Sequence, residues 1–221
     1  YVKHVIIFDL DGTLVDSNAT CVDILQAMLE DRGSAHRIDS TASAVYMSLG
    51  GERMVSALLG EHCIRPDQDL AEFRARYAVY STPRETLFDG VAKGLERLLD
   101  AGFDLAICSN KPANLCTKLL GDTGIDHLFS AVVGMTPELR PKPASDLLDA
   151  TLLRLGKNAA NCYFVGDSDL DHLIAEAANM PFCFMTYGYA EPGWVPPGGK
   201  SFDRFGELVD HFLAIGPAQE E

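Results

Sequence analysis

The sequence predicts an α/β fold: a doubly wound parallel, Rossmann-like sheet with an all-helical insertion. Five apolar runs of strand length are nearly continuous rather than alternating in polarity. They lie at residues 4–8, 103–108, 131–133, 162–165 and 182–185. Continuous apolar runs indicate strands that are covered on both faces, and such strands form parallel sheets.

Amphipathic patterns between and after these runs predict the crossover helices of an open sheet. They lie at residues 90–101, 112–120, 144–155, 171–178 and 205–213. Gly102 and Gly121 are expected to end the first two of these helices. Pro112 is expected near the first position of the second helix.

Residues 17 to about 86 break the alternation, because they carry helical patterns and no strand-like run. Three apolar stripes at helical spacing occupy residues 22–29, 54–59 and 70–80. We therefore expect an all-helical insertion between the first strand and its next partner. Hinges are expected near residues 16–17 and 81–83.

Charge and composition exclude several classes of protein. The chain has 32 acidic and 18 basic residues, a net charge of −14, which repels nucleic-acid backbones and anionic membranes. No apolar run approaches the roughly 20 residues that span a bilayer, and no secretory cleavage pattern is present. Six cysteines lie scattered without Cys-x-x-Cys pairs, as in reduced proteins. We expect a cytoplasmic protein with no nucleic-acid or membrane partner, either a monomer or a homodimer.

Acidic residues follow two of the predicted strands. Asp9 and Asp11 come after the first run, and Asp167, Asp169 and Asp171 after the fourth. Open α/β sheets bind ligands beyond the carboxyl ends of their strands. Neighbouring carboxylates repel one another unless one holds a proton or a cation lies among them. Oxygen ligands without nearby cysteine or histidine favour Mg²⁺.

Groups suited to binding an anion follow the same strands. Gly12 allows a tight turn before Thr13, whose backbone N–H groups could bind an anion. Ser109 and Asn110 are expected to open a helix, and helix N-termini attract anions. Lys142, between two prolines, offers one compact cation. With the carboxylates, these groups supply what phosphoryl transfer requires.

These stretches resemble, in order and spacing, the four motifs of the haloacid dehalogenase superfamily. Residues 9–17, Asp-Leu-Asp-Gly-Thr-Leu-Val-Asp-Ser, are similar to its first motif. Ser109, Lys142 and residues 166–171 are similar to the second, third and fourth motifs. Residues 109–111 and 185–189 further resemble the phosphoglycolate phosphatase branch.

The helical insertion resembles the type-one cap of that superfamily. The resemblance implies a Rossmann-like catalytic core at residues 1–16 and 84–221 and a helical cap domain at residues 17–83. Arg53, in the glycine-rich stretch that begins at residue 50, is a candidate specificity residue if that stretch is a loop closing on substrate. A simple turn between helices is the other interpretation.

The resemblance also implies roles for the acidic residues. Asp9 attacks phosphorus and becomes an aspartyl-phosphate, and Asp11 protonates the leaving alcohol and then activates water. Asp9, the backbone carbonyl of Asp11 and Asp167 hold Mg²⁺. Asp171 supports that set of metal ligands.

Phosphate binding is assigned by the same resemblance to Ser109 and Lys142, with Thr13 and Asn110 as further candidates. Orienting the loop that carries the nucleophile is the other role considered for Thr13. Lys111 is expected to be solvated. Asp16 is expected to cap the first helix of the insertion, and all six histidines are expected to be structural.

The predicted function is Mg²⁺-dependent hydrolysis of a small phosphorylated metabolite, with 2-phosphoglycolate as the best single guess. The open alternatives are a sugar-phosphate mutase of the β-phosphoglucomutase type, a pyrophosphatase and a nucleotide phosphatase. Asp11 argues against a dehalogenase or a phosphonate hydrolase. A phosphate-accepting receiver domain is disfavoured by the helical insertion. A nicotinamide enzyme is disfavoured because no Gly-x-Gly-x-x-Gly follows the first strand.

Overall fold

A computed structural model describes residues 4–217 of the 221-residue chain. The chain divides into two compact units. One unit comprises Tyr1–Asp16 and Pro83–Glu221, and the other comprises Ser17–Thr82.

The described residues form six strands and eight α-helices. The strands are β1 (Val5–Phe8), β2 (Asp104–Pro112), β3 (Ala131–Met135), β4 (Cys162–Gly166), β5 (Phe182–Met185) and β6 (Lys200–Phe202). The helices are α1 (Asn18–Asp31), α2 (Gly51–Leu59), α3 (Pro66–Val79), α4 (Val91–Asp100), α5 (Ala113–Thr123), α6 (Asp146–Leu155), α7 (Asp169–Ala177) and α8 (Phe205–Ile215). Short 3₁₀ turns connect several of them.

All six strands join one parallel sheet in the order β3-β2-β1-β4-β5-β6. Helices cover both faces of the sheet, so the predicted α/β fold class is confirmed. The sequence analysis missed β6. Its three residues are largely exposed at the sheet edge and form no apolar run.

Alternate residues of the central strand β1 pack into two separate cores. Val5 and Ile7 belong to a buried cluster that includes Leu147 of α6 and Ile174 of α7. Phe8 stacks against Phe205 of α8 with ring centroids 6.0 Å apart. A strand covered on both faces is apolar throughout, which explains its continuous apolar sequence.

The region after Cys108 differs from the predicted helix start. Residues 109–111 belong to β2, because that strand continues with an irregular register until Pro112 pairs with Met135 of β3. The predicted stop at Gly121 is also wrong. Helix α5 passes through Gly121 and ends before Gly124, whose φ of +73° allows the left-handed turn.

The unit Ser17–Thr82, all of whose backbone the structure describes, contains helices and no strand. Its apolar stripes face inward, as the edge-to-face pair of Phe73 and Tyr77 illustrates. Arg32, the residue just after α1, pairs with Asp69 of α3 at 2.6 Å. Gly50 alone separates the 3₁₀ helix Ala42–Leu49 from α2, as the interpretation of a simple turn between helices expected, and Arg53 is exposed in the first turn of α2.

Two further observations concern the helices and the cysteines. Of the helices in residues 4–217, none combines the length and apolar character needed to cross a bilayer. All six cysteines are free thiols, and all but Cys63 are buried.

Replacing Gly134 should destabilise the sheet. A Cβ at this position would lie 2.7 Å from the Cα of Ala113 and 2.7 Å from the carbonyl oxygen of Lys111, so backbone would have to move. We expect Gly134→Ala to lower the free energy of unfolding by about 1–3 kcal/mol, measured by urea denaturation.

The matched control is Gly121→Ala. Gly121 lies inside α5 with open space around it. Alanine there should raise the free energy of unfolding by about 0.5–1 kcal/mol. Equal effects at the two positions would contradict the close approach of β3 to residues 111–113.

Candidate active site

The strand order brings the predicted site residues to one edge of the sheet. Phe8, the last residue of β1, pairs with Ile107 of β2 and with Val165 of β4. Asp9 and Asp167 therefore lie just beyond adjacent strands. The backbone N–H of Asp9 donates to the carbonyl of Val165 at 2.9 Å, which fixes the chain where it leaves β1.

Three buried carboxylates form a cluster at this edge. Asp9, Asp167 and Asp171 each offer one oxygen, and these oxygens lie within 4.8 Å of one another. A capping box at the start of α7 fixes Asp171, whose Oδ2 accepts from the N–H and hydroxyl of Ser168 at 3.2 and 3.0 Å. The same Oδ2 accepts the N–H of Asp167 at 3.1 Å.

The ammonium group of Lys142 lies among these carboxylates. Its Nζ donates to Asp171 Oδ1 at 2.6 Å, to Asp9 Oδ1 at 3.1 Å and to the carbonyl of Cys108 at 3.1 Å. Burial alone lowers the pKa of Lys142. Asp171 and Asp9 outweigh burial and raise that pKa above its ordinary value. Lys142 is therefore a fixed positive charge.

The cluster carries more negative charge than Lys142 can balance. Burial raises the pKa of Asp9 to about 6, and the charge of Asp171 adds to the rise. Burial, followed by the charges of Asp9 and Asp171, raises the pKa of Asp167 well above its usual range. A hard divalent cation such as Mg²⁺ prefers oxygen ligands and would allow all three groups to ionise. The donor set therefore fits the predicted metal.

The turn after β1 fixes Asp167 from another side. Its Oδ1 accepts the hydroxyl of Thr13 at 2.9 Å, and its Oδ2 accepts the N–H of Tyr189 at 2.7 Å. Gly12 has a φ of +85°, and a Cβ there would lie 2.2 Å from Asp167 Oδ2. Close packing thus requires glycine at this position. The Thr13 hydroxyl is directed at Asp167, whereas the sequence analysis assigned it to phosphate.

The side chain of Asn110 holds the loop that carries Lys142. Its Oδ1 accepts the N–H of Lys142 at 2.7 Å, and its Nδ2 donates to the Lys142 carbonyl at 3.4 Å. Ser109 is buried, and its hydroxyl oxygen accepts the N–H of Lys111 at 3.2 Å. Because β2 continues through these residues, the predicted anion-binding helix N-terminus at Ser109 and Asn110 is wrong.

Asp11 lies next to a second lysine, Lys111, which was expected to be solvated. Lys111 Nζ lies 3.3 Å from both carboxylate oxygens of Asp11. The Lys111 side chain is only 8% exposed, so the expectation of a solvated lysine is wrong. Asp11 lies outside the three-carboxylate cluster, and its carboxylate is 27% exposed.

Comparison with known proteins identifies the family to which this chain belongs. Residues 6–185 match the family model described as haloacid dehalogenase-like hydrolase. The chain belongs to this family. The predicted membership, and with it the prediction that the chain is a hydrolytic enzyme, is confirmed.

Several relatives are similar to this haloacid dehalogenase-like hydrolase over almost its whole length. A phosphoglycolate phosphatase of Colwellia psychrerythraea is 34% identical over 94% of this chain and 96% of its own. A plasmid-encoded phosphoglycolate phosphatase of Cupriavidus necator is 33% identical over 95% of this chain and 90% of its own.

Solved structures of the family share the fold. A predicted phosphoglycolate phosphatase from Haemophilus somnus has a TM-score of 0.76 and 24% identity, covering 95% of this chain and 97% of its own. A haloacid dehalogenase-like family protein from Streptococcus pneumoniae has a TM-score of 0.75 and 21% identity, covering 95% of this chain and 98% of its own.

Two further residues singled out from the sequence are Arg53 and Asp16. Arg53 belongs to the unit Ser17–Thr82, and its part in specificity stays a prediction. Asp16 was expected to cap α1. The N-cap of α1 is Ser17, and the Asp16 carboxylate instead accepts the hydroxyl of Tyr189 at 2.6 Å.

Sequence reasoning missed two tyrosines that brace the turn after β1. Tyr189 reaches Asp167 through its backbone and Asp16 through its hydroxyl. The hydroxyl of Tyr187 donates to the carbonyl of Thr13. Residues 185–189 had been noted only for their resemblance to phosphoglycolate phosphatases. Their position just after β5 was the available signal, because strand ends meet at the site.

Removing the ammonium group of Lys142 should strongly destabilise the metal-free hydrolase. Lys142→Met leaves Asp9 and Asp171 buried without their cation, which costs about 3 kcal/mol or more. We expect urea denaturation in EDTA to show this loss.

The control is Arg97→Gln, which removes an exposed ion pair with Asp210. It should change the unfolding midpoint little, because exposed pairs contribute little. A Lys142→Met protein as stable as this control would show that the buried pairs are not needed to hold the cluster.

Proposed function

We propose that this chain is a Mg²⁺-dependent phosphatase that hydrolyses a small phosphate monoester, 2-phosphoglycolate, through an aspartyl-phosphate intermediate. One observation carries the proposal most directly: Lys142 contacts Asp9 inside a cluster of buried carboxylates. In this proposal Asp9 is the nucleophile, and the fixed cation and the oxygen donors beside it support that role. The relatives named phosphoglycolate phosphatase support the substrate.

Asp9, Asp167 and the backbone carbonyl of Asp11 would hold Mg²⁺, with Asp171 supporting them. When bound, the ion would neutralise negative charge on the carboxylates and on the phosphoryl oxygens. Asp171 has a second task in this proposal, because its short contact orients the Lys142 ammonium.

The side chains of Asp9 and Asp11 carry out the two steps of phosphoryl transfer. A carboxylate oxygen of Asp9 attacks phosphorus while the bond from phosphorus to the leaving oxygen breaks. Asp11 gives its proton to that oxygen, which leaves as an alcohol. Asp11 then takes a proton from water, whose oxygen attacks phosphorus and displaces Asp9. Ser109 and Lys142 bind the phosphoryl oxygens throughout.

Two residues assigned to phosphate binding receive other roles. We propose that Thr13 positions Asp167 for the metal, since its hydroxyl donates to that carboxylate. Asn110 positions Lys142, since its amide bonds to both polar backbone groups of that residue.

Phosphate release tests the function. The wild-type chain should release phosphate from 2-phosphoglycolate, lose activity in EDTA and regain it with Mg²⁺. Asp9→Asn should lower turnover by roughly 10⁴-fold or more, because it removes the nucleophile.

Asp169→Asn is the matched control, because this exposed aspartate of α7 lies outside the cluster and should leave turnover unchanged. Active Asp9→Asn protein would contradict the nucleophile. Isomerisation of β-glucose 1-phosphate without phosphate release would favour the mutase instead.

The proposed role of Thr13 predicts a metal-dependent defect. Thr13→Val removes the hydroxyl bonded to Asp167 while preserving side-chain shape. The Mg²⁺ concentration for half-maximal activity should rise about 10–100-fold, as for other groups that orient metal ligands. The KM for substrate at saturating Mg²⁺ should stay near the wild-type value. A raised KM with an unchanged Mg²⁺ requirement would instead support phosphate binding by Thr13.

A further inference from the structure

We propose that Lys111 is the specificity residue that binds a carboxylate attached next to the leaving oxygen of the substrate. This inference rests on the proposed phosphatase function and adds to it a residue that recognises the non-transferred part of the substrate. The chemical class selected is phosphate monoesters that carry a second anionic group close to the ester oxygen.

The backbone around Lys111 is held on several sides. Its N–H donates to the Ser109 hydroxyl, and its carbonyl accepts the Cys116 thiol at 3.5 Å. The backbone of Gly134 approaches so closely that a Cβ there would lie 2.7 Å from the Lys111 carbonyl oxygen. The side chain therefore starts from a fixed point at the end of β2.

The ammonium group of Lys111 lies beside Asp11, the residue proposed to protonate the leaving oxygen. Lys111 Nζ is 3.3 Å from each carboxylate oxygen of Asp11. A group that donates a proton to the leaving oxygen lies about 2.6–3.2 Å from it. The leaving oxygen is therefore expected within roughly 6 Å of Lys111 Nζ. In 2-phosphoglycolate the carboxylate carbon is two bonds away from that leaving oxygen. An ammonium group on a flexible stem spans that separation.

The charges of the site require a cation at this position. Four aspartates, at positions 9, 11, 167 and 171, face the ammonium groups of Lys142 and Lys111. With the proton that Asp11 holds before it is transferred, three carboxylates, two ammonium groups and one divalent ion give this set a net charge of +1. 2-Phosphoglycolate then brings a phosphoryl group and a carboxylate into a chain whose net charge is −14. Lys111 would supply an opposite charge for that carboxylate, which Asp11 cannot supply.

The experiment compares substrates that differ only in this carboxylate. Ethyl phosphate has a methyl group where 2-phosphoglycolate has its carboxylate. We expect the wild type to prefer 2-phosphoglycolate, and Lys111→Met to lower kcat/KM for it by roughly 10–100-fold, the size of a lost charge-assisted hydrogen bond. The loss should lie mainly in KM. Because the lost contact with Asp11 affects both substrates, the deciding quantity is the ratio of kcat/KM for 2-phosphoglycolate to that for ethyl phosphate, which should fall by roughly 10-fold or more.

Matched variants separate charge from structure. Lys118→Met removes a lysine of α5 that pairs with Asp122 outside the site, and it should keep the wild-type preference. Lys111→Arg keeps the charge and should retain most of the preference. Lys111→Gln replaces Lys111→Met if the methionine variant does not fold.

A binding measurement keeps the inference distinct from the proposed function. Calorimetry with Mg²⁺ compares 3-phosphonopropionate with propylphosphonate, which lacks the carboxylate. Only the affinity for 3-phosphonopropionate should fall in Lys111→Met. This result stands even if no ester is hydrolysed, which would overturn the proposed function alone.

Three outcomes would overturn the inference. The first is a wild type with no preference for the carboxylate-bearing compound in either assay. The second is a Lys111→Met protein that weakens both substrates or both phosphonates equally, which would show that Lys111 acts only through Asp11. The third is an Arg53→Met protein that loses the preference while Lys111→Met keeps it.

Discussion

The buried ammonium group of Lys142 is the constraint on which the site depends. Three carboxylates within 4.8 Å of one another cannot all ionise away from water unless positive charge lies among them. Lys142 provides one charge and contacts two of the three, Asp9 and Asp171. The raised pKa values of Asp9 and Asp167 show that this single charge is insufficient. The fit for a metal therefore follows from the electrostatics of the chain itself, independently of any family resemblance.

Sheet topology explains how such distant residues meet. β1 is central and short, with β2 and β4 as its neighbours, so the segments after all three strands converge. Lys142 comes from the loop between β3 and α6, one strand further out. It reaches the cluster because Asn110, at the end of β2, binds both polar backbone groups of Lys142. Buried charges of this kind cost stability, and the apolar packing on both faces of the sheet offsets that cost.

The features that could be predicted from the sequence depend on the pattern of apolar and acidic residues within short segments. Continuous apolar runs indicated the parallel strands, and the acidic residues after them indicated Asp9 and Asp167. Two features that the sequence did not predict depend on non-local contacts. The position of Lys111 follows from an irregular register between β2 and β3 that no local pattern encodes. The hydroxyl of Thr13 bonds a residue 154 positions away. The edge strand β6 carries too little apolar sequence to be recognised.

The two lysines at this edge differ in the carboxylates that they contact. Lys142 has three acceptors at 2.6–3.1 Å, two of them buried carboxylates, and its side chain is 3% exposed. The contacts of Lys111 to Asp11 are longer, at 3.3 Å, and Asp11 is 27% exposed. Water partly screens the ion pair between Lys111 and Asp11, so this pair is weaker than the buried pairs of Lys142. Replacing Asp11 by the carboxylate of a ligand as the partner of Lys111 therefore costs less free energy than replacing a buried carboxylate as the partner of Lys142. Phosphoryl chemistry can therefore stay constant at the buried cluster, while selection among substrates depends on Lys111, where exchange is easier.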